Sequence, residues 1–167
     1  MLNVLVLGGS GLFGRKTAAA LLNDADIDKV VNLDLSPPPS WFNESIKQKA
    51  ARFCYVRGDV SQIEDILNAM SRHAITHVVN WAFIMVGPGS RVDPRLITRV
   101  NVLGMNNSFE ASKIMGIRRV IYASSETVYG PQAMYGEREV TEDDQTNSTH
   151  SYAVCKKYAE IMAEEYA

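Results

Sequence analysis

Residues 2–14 read Leu2-Asn3-Val4-Leu5-Val6-Leu7-Gly8-Gly9-Ser10-Gly11-Leu12-Phe13-Gly14, a short apolar run that passes straight into a glycine cluster. The run reads as a buried strand, and the residues after the glycines as the first turn of a helix. Such a junction gathers bare backbone N–H groups and the positive end of a helix dipole at one point, where a pyrophosphate can sit. Gly8, Gly11 and Gly14 are spaced three apart, and Gly9, Gly11 and Gly14 also satisfy G-x-G-x-x-G, so the glycines alone do not choose between variants of the turn. Either variant needs one glycine for the tight turn, one for close approach of backbone to phosphate, and one for packing helix on strand. An ordinary glycine-rich turn would look the same in isolation. The position between a strand and a helix, at the start of an alternating pattern, favours the dinucleotide reading.

The alternation continues along the chain. Strands are expected at 2–7, 30–34, 53–57, 77–82 and 118–124, each a short run rich in branched and aromatic residues, as buried parallel strands are. Helices are expected at 12–23, 61–71, 94–115 and 151–166. The second begins after Asp59 with Ser61 as its cap, and the third at Asp93-Pro94, a cap followed by proline in the first helical position, ending near Gly116. Residues 36–49, with Pro37-Pro38-Pro39 and Trp41-Phe42, read as an irregular connection with one helical turn. Residues 83–93 (with Gly87, Pro88 and Gly89) and the acidic stretch 130–149 read as loops at the carboxyl edge of the sheet, the second of them mobile. Repeated strand–helix units predict an α/β fold, a Rossmann-type doubly wound parallel sheet, in one domain over residues 1–167.

Composition excludes several classes of function. Of the 167 residues 46% are apolar and 22% charged, ordinary values for a globular protein. The net charge of −2 carries no basic excess that would mark a nucleic-acid or anionic-membrane partner. The apolar run Val4–Leu7 is too short to span a membrane, and no Lys or Arg precedes it. Cys54 and Cys155 lie far apart and His73, His77 and His150 are scattered, so no metal site is expected and the cysteines read as reduced packing residues of a cytoplasmic protein.

Chemistry-bearing residues recur at the ends of the predicted strands. Asp34 follows Gly14 by 20 positions and ends the second strand, where a carboxylate can accept hydrogen bonds from adenosine ribose hydroxyls and repel a 2′-phosphate. This favours NAD over NADP, although Arg15, directly after Gly14, could pair with a phosphate. A turn or cap role is the alternative for Asp34. Asp59, in Gly58-Asp59-Val60, is placed for the adenine edge or for capping the next helix. Tyr152 and Lys156 stand four apart, on one face of the last helix. An ammonium beside a phenol favours the phenolate, so the pair suits acid/base work on an alcohol or carbonyl; a packed tyrosine beside a solvated lysine is the plainer reading. Ser125, in Ser124-Ser125, ends the fifth strand and either orients a substrate oxygen or caps the strand end.

Taken together, Gly8-Gly9-Ser10-Gly11-Leu12-Phe13-Gly14, Asp34, Gly58-Asp59-Val60, Asn101-Val102-Leu103-Gly104, Ser124-Ser125-Glu126-Thr127-Val128-Tyr129-Gly130 and Tyr152-Ala153-Val154-Cys155-Lys156 resemble the extended short-chain dehydrogenase/reductases. Within them the chain is similar to the NAD-dependent epimerase/dehydratase family, which includes UDP-glucose 4-epimerase. The resemblance implies Ser125, Tyr152 and Lys156 as the catalytic triad. It implies Gly8, Gly11, Leu12, Phe13, Gly14, Asp34, Asp59, Val60, Ala82, Tyr152 and Lys156 as cofactor contacts. Asn80-Trp81-Ala82-Phe83 resembles the stretch after strand four that lines the cofactor, where the family often has His-x-Ala-Ala, and Asn101 an asparagine that supports the active site. In related dehydratases an acidic pair follows a threonine after strand five. Ser125-Glu126-Thr127 departs from this, which favours an epimerase or simple dehydrogenase.

The resemblance implies an NAD-dependent nucleotide-sugar epimerase or related oxidoreductase in which Tyr152 takes a sugar hydroxyl proton. It further implies a homodimer through helices 94–115 and 151–166. Family members are longer, so the chain is expected to lack the C-terminal substrate-binding segment. Two alternatives are an NAD(P)-binding redox-sensing module without turnover and an NAD(P)-dependent reductase of another small carbonyl or alcohol.

Overall fold

A computed structural model describes residues 1–86 and 91–167. The expected loop residues Gly87, Pro88 and Gly89 lie outside the described residues. Five strands, β1 (Leu2–Leu7), β2 (Ile27–Asp34), β3 (Phe53–Arg57), β4 (His77–Asn80) and β5 (Arg119–Tyr122), form one sheet in the order β3-β2-β1-β4-β5. Every pairing is parallel. The helices are α1 (Leu12–Leu21), α2 (Ser40–Ser45), α3 (Ile63–Arg72), α4 (Pro94–Ile97), α5 (Met105–Ile114) and α6 (Ser151–Tyr166), with a π-helical stretch Thr98–Gly104 joining α4 to α5.

The doubly wound layering follows from the period-two alternation along β1. Val4 and Val6 pack on one side with Ala18, Leu22 and Phe42 from α1 and α2. Leu5 and Leu7 pack on the other with Ile66, Met70 and Ala111 from α3 and α5. Both faces of the central strand are therefore covered, as an all-parallel sheet requires.

Several boundaries depart from the sequence expectations. β2 begins at Ile27 rather than residue 30, because Ile27 pairs with Leu2. β4 ends at Asn80 rather than residue 82: its partner β1 ends at Leu7, and the Asn80 side chain then accepts the Ala82 N–H at 2.9 Å. β5 is four residues long, not seven. Ser61 is not the cap of α3. The helix starts at Ile63 after Gln62, while the Asp59 carboxylate accepts the Ser61 N–H at 2.9 Å and Asp65 accepts the Asp59 N–H at 2.9 Å. The Ser61 hydroxyl accepts from Arg99 Nη2 at 3.0 Å. Residues 36–49 hold α2, and a 3₁₀ turn follows at Lys47–Arg52. The Asp93 cap is as expected, accepting the Arg95 N–H at 2.9 Å, and Gly116 ends α5 at φ +62°.

Candidate active site

The glycine turn is held by β2, since the Gly8 and Gly9 N–H groups both donate to Leu33 O, at 2.9 and 3.3 Å. Gly8 has φ +69°, and a Cβ there would lie 2.7 Å from Ala82 N, so the chain leaving β4 presses directly on the turn. A Cβ on Gly14 would lie 2.6 Å from Gly9 Cα, which makes glycine a condition for seating α1 against β1. α1 begins after Gly11, a cap with no side chain to offer. The first N–H groups of a helix have no partner within it, and those of Leu12, Phe13 and Gly14 open at the carboxyl edge of the sheet. The side chains of Leu12 and Phe13 are exposed, so these positions offer backbone. Phe13 stacks on Trp81 at 5.1 Å, and the Trp81 indole donates to Thr17 Oγ1 at 2.9 Å. Arg15 donates to Ser10 O and lies over the Trp41 ring at 5.0 Å, an arrangement that occupies its guanidinium.

Asp34, at the end of β2, accepts the Ser10 N–H at 3.0 Å and the Ser36 N–H at 3.3 Å. A carboxylate accepts about four hydrogen bonds, which leaves room for two more. A cavity of about 300 Å³ runs from Gly8 and Gly11 past Asp34 and Asp59 to Ala82 and Phe83, with Leu33, Val60, Leu96 and Val100 among its walls. Asp59 reaches the cavity but is committed to the turn before α3 and to Arg99, 3.1 Å away. Val60 is buried, and its carbonyl accepts the Asn107 amide at 3.0 Å. Arg99, whose other bond goes to Ser61 Oγ at 3.0 Å, gives no sign of this role in the sequence, since nothing local links it to Asp59, 40 positions away.

Tyr152 and Lys156 lie one turn apart on α6, with the Lys156 ammonium 5.7 Å from the Tyr152 ring. His150 caps α6 by accepting the Ala153 N–H at 3.4 Å, and its ring stacks on Tyr152. Lys156 is 4% exposed and donates to Ala123 O, beyond the end of β5. Burial pushes its pKa down from 10.5 to about 8, against a smaller opposing effect of Cys155; burial in turn pushes the Cys155 thiol up. The sign follows from linkage. Between about 8 and 10.5 the unfolded chain holds more protons at this site than the folded one, so folded stability gains from Lys156 as pH rises through that window. Lys156→Met should therefore be more stable than the parent at neutral pH. Its advantage in thermal melts should shrink toward pH 10.5, and a constant gap would contradict the buried ammonium.

Ser125 donates to Glu126 Oε2 at 3.3 Å and accepts from Thr127 N at 3.3 Å and Thr127 Oγ1 at 3.0 Å, capping the 3₁₀ turn Glu126–Tyr129. Its contacts stay within its own turn, whereas Lys156 and Tyr152 are brought together. Both meet Phe83, which also lines the cavity. Asn101, fully buried in the π-helical stretch, holds the residue after Phe83 at both ends: its amide accepts the Ile84 N–H at 2.7 Å and donates to Ile84 O at 2.9 Å. Two such bonds contribute about 2 kcal/mol together. Among the described residues no helix is long and apolar enough to cross a membrane, and no group of His, Cys, Asp and Glu is arranged to hold a metal ion.

The arrangement matches known proteins along nearly its whole length. It is 29% identical to UDP-glucose 4-epimerase of Erwinia amylovora over 99% of this chain and 49% of that protein. It is 31% identical to 3 beta-hydroxysteroid dehydrogenase type 7 of Mus musculus, over 96% of this chain and 43% of that one. The solved UDP-glucose 4-epimerase from Brucella ovis in complex with NAD superposes at a TM-score of 0.82 with 27% identity, covering 100% of this chain and 48% of that structure. The chain thus spans about half the length of these relatives. The family described as "NAD dependent epimerase/dehydratase family" matches residues 4–167, and the chain belongs to it.

Proposed function

We propose that the chain is the cofactor-binding and catalytic portion of an NAD-dependent enzyme that oxidises a secondary alcohol of a nucleotide-sugar and reduces it again, inverting the carbon. The observation that carries this reading is a cavity lined by the glycine turn, by Asp34 and by Phe83, the last of which meets Tyr152 and Lys156. The cavity fits an adenosine diphosphate moiety. First-turn N–H groups after Gly11 suit the pyrophosphate, Asp34 keeps acceptors for the ribose hydroxyls, and Ala82 and Val60 supply apolar wall.

When bound, NAD supplies the hydride acceptor. Tyr152 takes the substrate hydroxyl proton at its phenolic oxygen and returns it on the reverse step. Lys156 steadies Tyr152 and holds the nicotinamide ribose, and Ser125 orients the substrate oxygen from the end of β5. Asp59 faces the adenine edge. A homodimer through α6 and the helical run from α4 to α5 belongs to the same reading. Relatives that include UDP-glucose 4-epimerases, and Thr127 following Glu126, favour epimerisation over dehydration.

The 31% identity to a hydroxysteroid dehydrogenase favours a second reading, one-way oxidation of another secondary alcohol. Incubation of the chain with NAD and either UDP-glucose or a 3β-hydroxysteroid separates the two by nicotinamide absorbance and product analysis. Interconversion of UDP-glucose and UDP-galactose without net NADH is expected. Net NADH with the steroid, and none of the sugar product, would overturn the nucleotide-sugar assignment.

A further inference from the structure

Phe83 lines the cavity and touches both chemistry-bearing side chains of α6. The Lys156 ammonium sits 3.7 Å from the centre of the Phe83 ring, and the Tyr152 ring meets Phe83 edge-on at 5.5 Å and 87°. Lys156 is almost wholly buried, and of its three N–H donors one is met by Ala123 O. A buried ammonium needs further compensation. The negative face of an aromatic ring supplies it when the cation lies over the ring within about 6 Å. The ring is itself fixed: the Asn101 amide grips the backbone of Ile84, and Phe83 packs against the buried cluster of Met105, Phe109 and Ala159.

We infer that Phe83 is a positioning residue, an aromatic seat that holds the Lys156 ammonium and the Tyr152 ring at the inner end of the cavity. The inference rests on the cofactor reading for what Lys156 then does, but the seat is a property of the chain alone. It requires an aromatic face at position 83, and a side chain of equal bulk without one does not serve.

The test compares the parent chain with Phe83→Tyr and Phe83→Leu, both close to phenylalanine in volume. In ¹⁵N- and ¹H-detected NMR of the lysine side chains, the Lys156 ε-methylene and ammonium protons, assigned with Lys156→Arg, should be displaced upfield by the ring. The displacement should persist in Phe83→Tyr and vanish in Phe83→Leu. NADH titrated by nicotinamide fluorescence should bind Phe83→Tyr like the parent and Phe83→Leu roughly five- to thirtyfold more weakly, the range a desolvated cation–π contact spans. Parent Lys156 resonances without an upfield displacement, or unchanged in Phe83→Leu, would overturn the seat. Tighter NADH binding by Phe83→Leu would also overturn it, by making the ring an obstruction. Absence of NADH binding by the parent with the displacement present would leave the seat standing and overturn the cofactor reading instead.

Discussion

Tyr152→Phe should lower turnover by about a hundred- to ten-thousandfold, the range that loss of a positioned acid/base spans, while NADH affinity stays within about threefold. The substitution removes one hydroxyl and keeps the ring. Its edge contact with Phe83 and its stacking on His150 involve the ring alone, so the local packing should survive. Without the phenolic oxygen no group on α6 can take a proton from a substrate hydroxyl, since Lys156 is turned to Ala123 O and the Phe83 face. Single-turnover kinetics on the parent and the variant, with NADH binding measured alongside, check the split. Retained turnover with lost cofactor binding would reverse the assigned role and make Tyr152 a binding residue.

The second large effect is expected at Asp34. In the proposed reading its carboxylate repels a 2′-phosphate and keeps acceptors for two hydroxyls. Asp34→Ala removes both features, so NADH should bind about tenfold more weakly or worse, a charged hydrogen bond being worth roughly 1.5–3 kcal/mol. NADPH should bind more tightly once the repulsion is gone, and the two changes multiply in the affinity ratio. Ser10 and Ser36 lose their acceptor as well, so Asp34→Asn is the control. It removes the charge and keeps one acceptor oxygen, so one of these two N–H groups stays satisfied. An affinity ratio that moves in neither variant would place the ribose elsewhere.

How much could be read without coordinates depends on the range of the forces involved. The glycine turn, the strand–helix alternation and the Asp93-Pro94 start were legible because each is written in neighbouring residues. The failures were competitions. Ser61 is a good cap by type, but α3 starts at Ile63 after Gln62, and the Ser61 hydroxyl accepts from Arg99 instead. Asp34 and Asp59 look alike in sequence, each an acid at or just past a strand end, yet Arg99, from the π-helical stretch later in the chain, pairs with Asp59. Asn32, a polar residue within an apolar strand, gives no local sign that its amide donates to Gly9 O at 2.7 Å and braces the glycine turn. Likeness to the family points to Ala82 within Asn80-Trp81-Ala82-Phe83. The residue that joins the cavity to Lys156 is Phe83, whose place depends on a clamp from Asn101.

The account turns on a dinucleotide lying between the glycine turn and Asp34, and titration of the parent chain with NADH and with NADPH, followed by nicotinamide fluorescence, tests it most directly. Saturable binding of NADH, at least about tenfold tighter than NADPH, is the predicted result. No saturable NADH signal, or NADPH bound as tightly as NADH, would contradict it.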